Sequence, residues 1–434
     1  SHWIDLTPLS KSHQRELLEG LLPLERELAD HLAERTEGHP LFAMQLLGHW
    51  IEEGAIEVRP EGFQVREGHD VELPEDIHVL WMERIRRFAE IVPDAAAEEV
   101  IEALELAAAL GREVIEREWS KLCDDAELDP PPGFVERLVE RGLAERTTEG
   151  FAFTHGLLVE SLEQCARENQ RWRGHHRRCA RMCDTMLEKA VSDPREHIAG
   201  EDVDSGESER AFEPLLAARA RHLEQAESPE AAAAFLEAAR AEVEAFRYEP
   251  ALELAEAGME LASDRELWFE LACVRAEQLV NLGDPRGSIE AFRGILEEFD
   301  EPEPRARARL GLSQGLRVCE DYEEALDQID RAESLLGPDG PPELIAEIHY
   351  QRGSNCFHRV ELERCAREHR RSYEVARDAG LPRHVARALS GLGDAAYVRG
   401  WMDSAREHFN RCIQQARKHG FAEIQVSNEP MLAI

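Results

Sequence analysis

Tyr248-Glu-Pro-Ala251-Leu, Asp284-Pro-Arg-Gly-Ser288-Ile, Asp321-Tyr-Glu-Glu-Ala325-Leu and Met402-Asp-Ser-Ala405-Arg are one short text written repeatedly. Its anchor is a small residue, at Ala251, Ser288, Ala325, Cys365 and Ala405, with intervals of 37, 37, 40 and 40 residues. A fixed period in this range is the signature of a solenoid, in which each unit buries its apolar face only against its neighbours. The text predicts a helical hairpin repeated five times between about Pro229 and Phe421, with the anchor near the start of each second helix. Small residues suit that place because they let the two helices of a hairpin approach closely.

Working outward, the chain reads as helix from Ala211 to Gly420. Val426–Ile434 reads as the opening of a further helix with nothing to cover it, so the array is expected to be cut rather than capped. Upstream, Ser192–Glu209 holds Asp, Glu, Ser and Gly with almost no apolar content and is expected to form a loop. Residues 1–54 look helical, interrupted at Thr36-Glu-Gly-His-Pro-Leu-Phe42. Ala55–Arg59 and Phe63–Arg66 flank Pro60-Glu-Gly62 as a hairpin. Leu73–Asp129 returns to helix, and Pro130-Pro-Pro132 sets up a short helix ending at Gly142. A second hairpin, Leu143–Thr147 with Phe151–Thr154, follows, and one helix from Leu157 to about Leu187 leads out. Helices and then a hairpin in this order suggest a winged helix. The expected divisions are a helical segment over 1–72, a winged-helix-like domain with its exit helix over 73–190, an acidic loop over 191–210, and the repeat array over 211–434.

The formal charge of −38 keeps the chain soluble and repels phosphate backbones. The short helix before Gly142 offsets Arg137 and Arg141 with Glu136 and Glu140, which does not suit DNA contact. No nucleic-acid partner is expected, and no apolar run is long enough to span a membrane. The four lysines, Lys11, Lys121, Lys189 and Lys418, are far outnumbered by arginine. One basic stretch stands out: Arg167, Arg171, Arg173, His175, His176, Arg177, Arg178 and Arg181. It reads either as a solvated helix face or as a surface that docks onto the acidic array. Nine cysteines at irregular spacing fit buried small hydrophobes in a reducing cytoplasm, and Cys179 with Cys183 reads as core rather than as a zinc pair. No metal site is expected. Ser1 is not expected to be a natural start, and a longer protein is expected behind it.

The array resembles tetratricopeptide repeats, with a period longer than the roughly 34 residues of that family. The family's small residue in the first helix falls at Ala239, Ala276, Ser313, Gly353 and Gly393. Its later aromatic or apolar position in the second helix falls at Ala255, Phe292, Ile329, His369 and Phe409. The family's groove would be lined by Arg307, Gln314, Arg317, Tyr350, Phe357, Arg387, Asp394 and Tyr397, and arginine with aromatics suits protein recognition.

In the first half, Thr36–Phe42, Leu73-Pro74, Ala107-Ala-Ala-Leu-Gly111, Leu138-Val-Glu-Arg-Gly-Leu143 and Phe153-Thr-His155 follow one another in a telling order. That order resembles the bacterial signal-transduction ATPases with numerous domains, in which a maltose-activator-like ATPase lid and winged helix precede tetratricopeptide repeats. The resemblance implies a mainly α fold: lid helices, a winged helix with small β-hairpins, and an α-solenoid. It implies that Gly38 and Pro40 contact the adenine side of a nucleotide and that His155 senses its diphosphate, given an upstream phosphate-binding domain. Such chains are often fused to a Ser/Thr protein kinase or a nucleotide cyclase.

No Gly-x-x-x-x-Gly-Lys-Ser/Thr occurs here. Without that cradle of backbone amides and a lysine, hydrolysis is not expected of these residues, and ATP or ADP with Mg would belong to a longer protein. The expected role is the sensor arm of a signalling ATPase. In that role the groove binds a protein, peptide or small effector, the winged helix relays the event upstream, and self-assembly follows opening. The rival expectations are a free-standing interaction scaffold and the regulatory part of a kinase or cyclase.

Overall fold

The computed structural model describes residues 77–192, 212–337 and 339–432, the strand residues 56–59 and 62–65, and a few single positions before them. Gly38, Pro40, most of the segment over 1–72 and the acidic stretch 193–211 lie outside the described residues. The chain divides into two compact units, Ser1–Met182 and Cys183–Ile434.

In the first unit, β1 (Ile56–Arg59) and β2 (Gly62–Val65) form the expected antiparallel hairpin. Then come α1 (Ile77–Ile91), α2 (Ala97–Leu110), β3 (Glu113–Ile115), α3 (Glu116–Asp125), α4 (Phe134–Glu140), β4 (Ala144–Arg146), β5 (Gly150–Phe153), α5 (Gly156–Glu168) and α6 (Trp172–Ser192). β3, β5 and β4 make one antiparallel sheet in that order. β3 corrects the expected run of helix over 73–129. Gly111 ends α2 at φ +113°, and after Arg112 the residues Glu113–Ile115 pair with β5, where Gly150 lies so close to the Val114 carbonyl that a Cβ would collide with it. The expected single exit helix is also two helices, broken at Gln170 with φ +59°.

This unit closes on one aromatic core. Trp119 packs 5.4 Å from Phe134 and edge-on to Phe151 at 5.6 Å, and Phe151 meets Phe153 at 5.7 Å. The Trp119 indole donates to the Ala103 carbonyl at 2.7 Å, so its one polar atom is satisfied inside.

The second unit begins with the last part of α6, from Cys183, and after α7 (Phe212–Gln225) continues as five hairpins. They are α8 (Ala231–Glu244) with α9 (Tyr248–Leu261), α10 (Arg265–Asn281) with α11 (Pro285–Glu298), α12 (Pro302–Val318) with α13 (Tyr322–Leu336), α14 (Pro342–His358) with α15 (Leu362–Asp378), and α16 (Pro382–Val398) with α17 (Met402–His419). The anchors Ala251, Ser288, Ala325, Cys365 and Ala405 are all buried at these hairpins. α18 (Ala422–Asn428) and a 3-10 turn, Glu429–Leu432, end the described chain. The terminal helix thus starts four residues before the expected Val426, because Phe421 closes back on Ala416 and a new helix can begin at once.

Each hairpin turns in the same way. Three residues join its helices, and the middle one is left-handed: Phe246, Gly283, Glu320, Val360 and Gly400. The amide of that residue bonds three carbonyls back and the next amide five back, as in Val360 to Phe357 at 3.0 Å and Glu361 to Cys356 at 2.9 Å. Caps reinforce some starts: Asp284 accepts from the Gly287 amide at 2.9 Å, followed by Pro285, and Asp321 accepts from Glu324 at 3.3 Å.

The change of period from 37 to 40 residues leaves the first helices alone. α10, α12, α14 and α16 each hold 17 residues, while α11, α13 and α15 hold 14, 15 and 17. The extra length therefore falls on the second helices and the loop before α14. The first helices keep their register. Among the described residues no helix is long and apolar enough to cross a membrane.

Candidate functional site

Because the first helices hold register, equivalent positions form rows. One row reads Glu270, Arg307, Glu347 and Arg387, and another reads Arg240, Glu277, Gln314, Ser354 and Asp394. Residues from all five first helices line one cavity of about 880 Å³. Arg307, Gln314, Arg317, Tyr350, Phe357, Arg387 and Asp394 lie together on it. Tyr397 does not; it packs instead against the cluster of Ala396, Ala405 and Phe409.

The first row is a charge ladder between repeats. Arg307 forks onto Glu270, and Arg240 reaches the same carboxylate at 2.6 Å. Arg387 grips Glu347 at 2.6 and 3.1 Å. Each arginine also lies over an aromatic ring, Arg307 at 4.9 Å from Phe269 and Arg387 at 4.0 Å from Tyr350. Burial would lift the carboxyls of Glu270 and Glu347, but these guanidiniums more than offset it and hold both below the usual range. Arg307 and Arg387 thus tie hairpin to hairpin, and a ligand would have to compete with Glu270 and Glu347 for them.

The second row is less committed. Gln314 is exposed, and Asp394 is half-buried with its carboxyl pushed up to about 6 by desolvation. Glu277 is enclosed by the groove walls while water still reaches it; desolvation raises its carboxyl, opposed by Arg307. Neither Glu277 nor Asp394 has a hydrogen-bond or ion-pair partner among the described residues. Among the described residues Arg317 meets only the His358 ring, at 3.5 Å, and that ring stacks on Tyr322 at 5.6 Å. Phe357 stands edge-on to His358 at 5.8 Å and is half-buried against Cys356 and Cys365.

The sequence reading passed over His369, which it met only as a departure from an aromatic position. It is 2% exposed and lines the groove, with its ring 5.4 Å from Tyr350. The ring fits because Gly353 and Gly391 leave room for it; a Cβ at either would strike the imidazole. Phe292 sits the same way against Gly311, and Phe409 against Gly393. Unlike them, His369 carries a buried Nδ1 with no hydrogen-bond partner, and burial pushes the imidazole down to about 4. The pair of flanking glycines was the signal available in the sequence.

In the first unit, His155 precedes α5 in extended conformation, half-buried with its ring 5.4 Å from Trp81. Of the basic stretch, Arg167, Arg173, Arg177 and Arg181 are exposed, as a solvated helix face has them, while Arg171 and His175 turn inward. Arg171 and His175 converge on Glu105, which is 0% exposed: Arg171 makes two bonds of 2.8 Å and His175 one of 3.1 Å. Arg171 also reaches Glu98 at 2.6 Å, and Arg181 reaches Asp125 at 2.8 Å. Cys179 and Cys183 are buried, and no group of three or more His, Cys, Asp or Glu among the described residues is placed to hold a metal ion.

Neither a protein-family model nor a curated protein matches this sequence. Solved structures do resemble it. A signal-transduction ATPase with numerous domains and a tetratricopeptide repeat sensor, from Pyrococcus horikoshii, is 14% identical with a TM-score of 0.40. All of this chain is covered, and it spans 64% of that protein's length. A tetratricopeptide repeat protein of Thermus thermophilus is 18% identical over 47% of this chain and 100% of its own, with a TM-score of 0.38. Aspartyl phosphate phosphatase F of Bacillus subtilis is 12% identical over 81% of this chain and 91% of its own, with a TM-score of 0.41. The second unit is a tetratricopeptide-like array. The paired helices, the buried small anchors and the repeated turn carry that statement by themselves.

Proposed function

We propose that the array is the ligand-binding arm of a signalling switch, taking a protein or peptide in its groove. The observation that carries this is the less committed part of the groove: Gln314, Arg317 and Phe357 face one cavity outside the Glu270–Arg307 and Glu347–Arg387 ladder, with the Tyr350 ring beside them. In this reading the first unit, with its helix, strand, two helices and two strands in winged-helix order, passes the event to a nucleotide-binding domain of a longer protein. Gly38, Pro40 and His155 would meet ATP or ADP only there. These residues themselves carry out no catalysis. The sequence order shared with signal-transduction ATPases favours the relay over a plain scaffold, and a fused kinase or cyclase would supply the output.

Selection of phage-displayed random peptides on this chain tests the groove. Peptides so obtained are expected to lose about tenfold or more in affinity for Phe357→Ala and Arg317→Ala, the range of a side chain that anchors an interface. Peptides that bind both variants as well as the native chain would sink the reading.

A further inference from the structure

The groove is not neutral in what it leaves unpaired. Of its arginines, Arg307 and Arg387 are held by Glu270 and Glu347, Arg240 shares Glu270, and Arg383 reaches Glu423 at 3.4 Å, while Arg317, toward the far side of the groove, meets the His358 ring. A carboxylate ligand would have to displace those partners at every arginine except Arg317. Glu277 and Asp394 are different: both line the cavity and neither makes a direct ion pair among the described residues, although Arg307 and Arg240 act on Glu277 from a distance. The buried His369 lines the same cavity with a ring nitrogen unsatisfied. A net charge of −38 adds long-range attraction for cations.

We propose that the groove selects a basic peptide segment, whose ammonium or guanidinium groups meet Glu277 and Asp394 while its apolar part lies against Tyr350 and Phe357. This rests on the groove being the binding site. A carboxylate without an ion-pair partner gains from an incoming cation without first losing another contact, so the charge-assisted bonds are not discounted by competition. Small polyamines carry the same cations but nothing to set against Tyr350 and Phe357. A peptide is therefore the occupant.

The test is fluorescence anisotropy with a labelled Lys-Ala-Leu repeat peptide, its Glu-Ala-Leu counterpart, and spermidine as competitor. The Lys peptide is expected to bind and the Glu peptide not. Replacing Glu277→Gln together with Asp394→Asn should weaken binding about tenfold or more, whereas Glu374→Gln with Glu407→Gln, outside the groove and equal in charge change, should alter it less than about twofold. Both groove variants are close in shape to the native side chains and break no ion pair among the described residues, so they are expected to fold, which circular dichroism checks. Equal weakening by the two double variants would reduce the effect to diffuse surface charge and overturn the proposal. So would tighter binding of the Glu peptide, or competition by spermidine at the peptide's own concentration. If Phe357→Ala weakens the display-selected peptides while the groove charge variants leave them unchanged, the groove stands and its cationic preference falls. If neither change matters, both fall.

Discussion

The first unit buries one continuous core, from Trp81 through Trp119, Phe134 and Phe151 to Trp172. The array buries several small clusters in succession, each shared by two or three neighbouring helices. Charge follows the same division. Glu105 is sealed inside the first unit between Arg171 and His175, while the array sets Glu270 with Arg307 and Glu347 with Arg387 along its groove, between one repeat and the next. In the first arrangement a single residue supports everything around it. In the second, each residue supports only its neighbours, and the groove can use side chains that stability does not require.

The sharpest way to break this contrast is Glu105→Ala. Burial would lift the Glu105 carboxyl, but His175 and Arg171 hold it below its ordinary range. Removing it leaves the buried His175 ring without its partner and Arg171 with Glu98 alone, and loss of one partner of a buried pair costs about 3 kcal/mol or more. Hydrogen exchange should show protection falling together from α1 to α5, with the array unchanged. A loss confined to the contact between α2 and α6 would mean that the first unit is not one cooperative core.

His369 gives the next largest effect, and it belongs to the array. Its imidazole is held near 4 against an ordinary value of 6.5, so the unfolded chain binds a proton that the folded one refuses. Folded-state stability from this residue is complete above about pH 6.5 and is lost as pH falls toward 4, by on the order of 3 kcal/mol. The loss should appear in α14, α15 and α16 and not in the first hairpins. His369→Phe, which writes in the residue found at the equivalent Phe292 and Phe409, should remove this acid sensitivity. Exchange profiles at pH 5 and pH 7 for both chains check it; an unchanged acid response in the variant would sink the assignment.

How much of this was legible follows from the range of each interaction. The five hairpins could be read because small residues at a fixed spacing are a local signal, and most of the groove row followed once the first helix was placed. The ladder could not, since Arg307 reaches Glu270 only after two repeats stack. Glu105 was hidden inside Leu104-Glu-Leu106, where nothing local says that a carboxylate faces inward to meet a helix more than sixty positions on. Gln170, Glu320 and Val360 break or turn helices in left-handed conformation without the glycine that would announce it. β3 is only three residues long and exists because Gly150 admits it.

Val360 supplies the smallest and cleanest test. It holds φ +61° at the turn between α14 and α15, where Gly283 and Gly400 stand in other repeats, and it is 71% exposed. A β-branched side chain in that conformation costs about 1–2 kcal/mol, and glycine removes the cost. Glycine also raises the entropy of the unfolded chain, which returns part of the gain. The balance for Val360→Gly is a stabilisation of about 0.5–1 kcal/mol, read as a rise of about 1–3 °C in the array's melting temperature. Gly400→Val should move it down by a similar amount. If Val360→Gly lowered the melting temperature instead, the valine side chain would have to be making a stabilising contact, and the turn could not be treated as one conformation shared by all five hairpins.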